Sequence, residues 1–177
     1  MTDIDRRRAI DAADVLNDFI GEFATGVMVF RAYSAQFYAG RLSDEGMVGI
    51  QKMCVSQVVL TLAKFEEFWK RYRDVVPIEH HEACNGILKA IGTRKINKFR
   101  NQVVGHIWNR DEQRPLRLSE IMRALNSIVG PNFDSFLDWV HNPKANTYPS
   151  SIVSIIYVVR DAVMAVHSIR PEEIVSR

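Results

Sequence analysis

The chain has 177 residues, 47% of them hydrophobic and 25% charged, with a formal net charge of +2. These values are ordinary for a globular protein and exclude a disordered or low-complexity chain; the length suits one domain, 1–177, with a sizeable core. The two cysteines, Cys54 and Cys84, lie far apart in apolar stretches, which excludes a disulfide framework and predicts buried free thiols in a reducing compartment.

The apolar residues recur at helical spacing throughout. In the first segment they fall at Ile10, Ala13, Leu16, Ile20, Phe23, Val27, Phe30 and Phe37. Gly21 and Gly26 weaken this helix by about 1 kcal/mol each and are candidate bends or breaks. The segment ends near Gly40. Ser43 is placed as the N-cap of a second helix, with Asp44 and Glu45 at its positive end. Its stripe runs through Met47, Ile50, Cys54, Val58, Leu62, Phe65, Trp69 and Tyr72, and is core.

Pro77 closes that helix or opens the next, which carries Ile78, Cys84, Ile87, Leu88 and Ile91. Gly92-Thr93 is the expected interruption, with Thr93 capping a continuation through Ile96, Phe99, Val103 and Val104. Gly105 stands where a C-cap glycine would stand. Residues 109–115 are polar and turn-like. Ser119 is the candidate cap of a fourth helix running to Val129 and stopped by Gly130-Pro131. Phe133–Val140 reads as a short helix, and Ser150 opens a last one reaching about His167. No alternating strand pattern is evident. The fold class is therefore all-α: an up-down helical bundle of about four long helices with shorter ones between them.

The N-terminal basic residues Arg6, Arg7 and Arg8 are followed by acids rather than by the apolar run of a signal peptide. The apolar stretch 152–159 is too short and too interrupted to span a bilayer. The expectation is a cytoplasmic protein with no membrane association.

Charge is distributed unevenly. Lys89, Arg94, Lys95, Lys98, Arg100, Arg110, Arg114 and Arg117 outweigh Asp111 and Glu112, giving a local charge of +6 on a body of −4. A basic segment of this kind suits a phosphate-rich partner such as RNA. The competing reading is an ordinary solvated face. Trp108 adds an aromatic surface on which a base could stack, or a side chain that closes the core. Glu79-His80-His81-Glu82 resembles metal chemistry only superficially, because adjacent helical histidines point about 100° apart. No metal or cofactor is expected, and His141 and His167 receive no role. Trp69 and Trp139 read as core.

The run Lys98-Phe99-Arg100-Asn101-Gln102-Val103-Val104-Gly105-His106-Ile107 combines the groups that RNA cleavage needs. An imidazole near neutral pKa can take the proton of a ribose 2′-hydroxyl. A guanidinium can hold the phosphate and stabilise its developing charge. An amide can orient sugar or imidazole. On a regular helix, however, positions six apart are rotated by about 240°, so Arg100 and His106 of one chain would not converge. Either Gly105 ends the helix, or a second copy supplies the facing pair.

This segment resembles the signature of the higher-eukaryote-and-prokaryote nucleotide-binding (HEPN) superfamily: an Arg, four to six residues, then a His, often with a polar residue after the Arg. With Phe65-Glu66-Glu67-Phe68-Trp69 on the second helix, the pattern is most similar to the abortive-infection branch of that superfamily. The resemblance is loose over residues 10–168 and tight over Lys98 to Ile107.

The resemblance implies a helical bundle that forms a homodimer with two motif segments lining one cleft. It implies a metal-independent endoribonuclease acting in toxin–antitoxin or phage-defence systems, with a cognate antitoxin or neighbouring gene product as a further partner. Carried over, Arg100 would bind phosphate, Asn101 would position the substrate and His106 would be the general base or acid. Lys95, Lys98, Trp108, Arg110 and Arg114 would extend the nucleic-acid surface. The alternative is a non-catalytic HEPN-like module that binds RNA, a nucleotide or a protein partner.

Overall fold

A computed structural model describes residues 3–101, 108–109, 112–145 and 147–174. The fold is all-α. Its helices are α1 (Asp3–Tyr38), α2 (Asp44–Tyr72), α3 (His81–Thr93), α4 (Ile96–Phe99), α5 (Leu118–Val129), α6 (Phe133–Val140) and α7 (Ile152–Val166). Short 3-10 turns occupy Ile78–His80 and Pro171–Glu173.

The glycines of the first segment do not break it: α1 runs unbroken for 36 residues. Gly26 is buried against α2, where an added Cβ would stand 3.1 Å from Val58 Cγ2. The close approach of two helices offsets its poor propensity. Gly21 faces open space instead and costs helix stability without such a return.

The core of the bundle is the contact of α1 with α2 and α7. Phe19 of α1 lies between two aromatics of α2, with ring centroids 6.1 Å from Phe65 and 5.9 Å from Phe68, the latter edge-on. Such pairs add about 0.5–1.5 kcal/mol beyond the area they bury. α2 is long and apolar enough, by length and composition alone, to cross a membrane. Its stripe from Cys54 to Trp69 is buried inside the bundle. Both thiols are buried and free, and burial pushes the Cys84 thiol up to about 12.

Polar ends fix where helices start. Ser43 accepts the Gly46 N–H at 3.2 Å, Asn132 accepts that of Ser135 at 2.9 Å, and Ser151 that of Ser154 at 3.2 Å. The last helix is thus capped one residue later than Ser150. Nor does Ser119 cap α5: the Glu120 carboxylate instead reaches back to the Arg117 N–H at 2.7 Å. Ile78 lies outside the core, 77% exposed on the connection before α3. That connection is tied down by two imidazoles. His81 Nε2 lies 3.0 Å from the Val76 carbonyl, and His167 Nε2 lies 3.1 Å from that of Val75.

Residues 108–115 contain more than a turn. Trp108–Asn109 and Arg114–Pro115 form a two-residue antiparallel ladder, with Trp108 opposite Pro115.

Gly21→Ala is expected to raise stability by about 0.5–1 kcal/mol, the propensity difference at an open helical site. Gly26→Ala is expected to lower it, because Val58 and α2 must give way. Urea midpoints of the two variants against the parent check both signs.

Candidate functional site

The candidate site is built where α3 stops and α4 begins. Thr93 is the last residue of α3 rather than the cap of a continuation: its hydroxyl donates back to the Lys89 carbonyl at 2.9 Å. The chain turns two residues later, at Lys95, whose backbone is left-handed with φ 55° and ψ 37°. It then makes the single turn of α4, anchored by Ile96 and Phe99, three apart and both buried. Residues 100–101 continue in a wider, π-type turn, a local distortion frequent at functional sites.

Asn97, Arg100 and Asn101 therefore fall on neighbouring positions of one short helical face, and the first two meet α2. Arg100 Nη1 donates to Glu67 Oε1 at 3.3 Å, and Arg100 Nε donates to Asn101 Oδ1 at 3.2 Å. One turn earlier, Asn97 Nδ2 donates to Glu66 Oε2 at 2.5 Å, while Lys70 Nζ donates to Glu66 Oε1 at 2.7 Å. The hydrogen bond from Lys70, then that from Asn97, holds the Glu66 carboxyl below the usual carboxylate range, with the charge of Arg100 adding to the effect against partial burial.

Glu66, Glu67, Lys70 and Asn97 are not among the site residues expected from sequence, although Glu66-Glu67 belongs to the pattern behind the resemblance. A signal was present. Phe65, Phe68 and Trp69 occupy the core positions of α2, which leaves the intervening carboxylates on its rim.

The basic residues separate into two kinds. Lys89, Lys95 and Lys98 are exposed. Arg94, although counted with them, is built into the fold. Its guanidinium lies 4.8 Å from the Trp139 ring centroid and 5.4 Å from that of Phe136. It also donates to the carbonyls of Ile128 and Val129 at the end of α5. A cation there satisfies the last carbonyls and the helix dipole, and desolvation lowers its pKa. Trp139 is accordingly half-buried beneath Arg94 rather than fully within the core.

Arg114 also has internal partners. It grips Glu120 with two donors at 2.8 and 2.9 Å and reaches Glu112 from Nε at 2.6 Å, and these bonds raise its pKa. It joins the hairpin to the start of α5. His106, Arg110 and the helix end expected at Gly105 lie outside the described residues, as does the Trp108 side chain. The described structure thus brings Arg100 and Asn101 together, sets Lys95 and Lys98 on the same short element, and puts Arg114 in a separate ion-pair network.

Among the described residues, no group of three or more His, Cys, Asp or Glu side chains could hold a metal ion. His80 and His81 diverge as expected. His81 meets the Trp69 ring edge-on at 5.0 Å, and His80 lies 6.2 Å from the Tyr148 ring.

No family model and no curated protein matches the chain. A solved structure does: an integron cassette protein from the mobile metagenome of V. paracholerae has a TM-score of 0.73 and 24% identity, over 88% of this chain and 95% of that one. The two share a fold.

Asn97→Ala is expected to cost about 1–2 kcal/mol by removing one donor from an ionised, partly buried carboxylate. The pH dependence has a defined sign. The Glu66 pKa is lowered on folding, so its contribution is present above the unfolded carboxylate value and is lost as pH falls through the folded one. Glu66→Gln is therefore expected to lose stability at pH 7 and to flatten the acid limb below about pH 4.5, as read by urea denaturation across pH.

Proposed function

We propose that the chain is a metal-independent endoribonuclease, a toxin or phage-defence effector, that cleaves RNA as a homodimer through Arg100, Asn101 and His106. The observation that carries this reading is the setting of Arg100. Arg94 and Arg114 are built into the fold, whereas Arg100 is presented at a distorted helix end, 35% exposed, beside Asn101 and one surface carboxylate. A guanidinium so held is available to a phosphodiester, and the exposed Lys95 and Lys98 lend the surface around it positive charge.

The chemistry requires no cofactor. His106 takes the proton of the ribose 2′-hydroxyl, and the 2′-oxygen attacks the adjacent phosphorus. The 5′-oxygen of the next nucleotide leaves with a proton handed on by the imidazolium, giving a 2′,3′-cyclic phosphate and restoring the neutral imidazole. Arg100 donates to the phosphate oxygens on which charge accumulates. The two side chains are six positions apart in the chain, so a facing pair from a second copy would complete the cleft.

Purified protein in the presence of EDTA is expected to cleave single-stranded RNA. Arg100→Ala and His106→Ala should each lower the rate about 100-fold or more while preserving the melting temperature. Sedimentation should give a dimer. Cleavage that is unaffected by both substitutions would overturn the proposal. Salt-sensitive RNA binding without any cleavage would favour a non-catalytic RNA-binding module instead.

A further inference from the structure

Two consecutive carboxylates of α2 face the α4 segment, and they are held very differently. Glu66 receives donors at 2.5 and 2.7 Å, with its side chain 27% exposed. Among the described residues, Glu67 receives a single donor, from Arg100 at 3.3 Å, and its side chain is 62% exposed. Charge-assisted hydrogen bonds between nitrogen and a carboxylate normally close to about 2.7–2.9 Å, and a strong arginine–carboxylate pair uses two parallel donors. The Arg100–Glu67 pair has neither property. Exposed pairs of this kind contribute little to stability.

We propose that Glu67 is a displaceable counter-ion: in the unliganded chain its carboxylate occupies the place at the Arg100 guanidinium that an RNA phosphodiester takes on binding. The inference rests on the reading of Arg100 as a phosphate-binding residue. The loose pair neutralises the arginine, in a basic neighbourhood that includes Lys98, without locking it. The Nε contact with Asn101 keeps the guanidinium oriented during the exchange. A phosphodiester can engage the fork of donors that Glu67 meets at one point, and the carboxylate, being mostly exposed, swings into water. Glu66 cannot do the same, because Lys70 and Asn97 hold both of its oxygens.

The test uses a fluorescent 2′-O-methyl oligoribonucleotide, which lacks the 2′-hydroxyl proton and remains intact in every variant. Affinity is measured for the parent, Glu67→Gln, Arg100→Ala and the double variant at one fixed salt concentration. Glu67→Gln is expected to bind about two- to fivefold more tightly than the parent, fivefold being the equivalent of about 1 kcal/mol. In the Arg100→Ala background the same substitution should change affinity by much less. Equal tightening in both backgrounds would mean a general charge effect and would overturn the proposal. So would unchanged or weaker binding by Glu67→Gln, or no binding by any variant. Cleavage of ordinary RNA reports separately on the ribonuclease reading. Coupling between Glu67 and Arg100 without cleavage would keep the counter-ion role and remove the enzyme.

Discussion

Where α1 crosses α2, the absence of a side chain at Gly26 lets Val58 approach to a distance that a methyl group would contest. This close contact, continued by Phe19 between Phe65 and Phe68, fixes how α2 is rotated within the bundle. The rotation has two results. It buries Phe65, Phe68 and Trp69, and it turns the intervening Glu66 and Glu67 toward the rim where α4 arrives. A different rotation of α2 would bury these carboxylates or send them into solvent away from Asn97 and Arg100. The candidate site is therefore set by apolar packing on the opposite side of the helix that carries half of it.

The α4 turn is too short to hold its own position by backbone hydrogen bonding. Short isolated helices are marginal, and most of their stability comes from what they pack against. Here the anchors are Ile96 and Phe99 on the inside and the Asn97–Glu66–Lys70 chain at the flank. One turn is enough to put a polar amide, a guanidinium and a second amide in register along a short face. The same economy explains why Arg94, just upstream, faces the other way, onto the end of α5 and the rings of Phe136 and Trp139. Adjacent basic residues at a reversal of the chain point to different partners, so a local sum of charge overstates what the surface offers to a ligand.

The long amphipathic elements were legible from sequence because their signals were redundant. Ser43, two acids and a stripe of apolar residues all specified α2, and Gly130-Pro131 marked the end of α5. Phe133–Val140 was bounded as expected because Asn132 caps a compact apolar pattern. The misreadings have a common cause. Gly26 was read through its intrinsic propensity, whereas its tertiary contact decided the outcome. Thr93 had the chemistry of a cap, but nothing local showed that the chain would reverse at a lysine instead. Ile78 belongs to the apolar pattern of the third helix, but it falls on a short 3-10 turn ahead of α3 and stays exposed. The pairing of Glu66 with Asn97 links positions 31 residues apart, which no local period encodes. Of the candidate site, Arg100 and Asn101 were found by motif, while their acidic partners became recognisable only once α2 and α4 were packed together.

Lys95 supplies the reversal with a left-handed backbone conformation that glycine adopts freely and a side-chain-bearing L-residue adopts at a cost of about 1–2 kcal/mol. A glycine here would make the turn easier and would remove an exposed positive charge at the start of α4. The two demands on this position pull in opposite directions, since ease of folding favours the bare backbone and charge at the rim favours the lysine. Substitutions at Lys95 should accordingly separate along two independent axes. Asparagine, which tolerates this conformation, would retain much of the turn without the charge, whereas arginine would retain the charge without easing the turn. The position is thus a built-in means of varying the electrostatic character of the site while leaving the packing of Ile96 and Phe99 untouched.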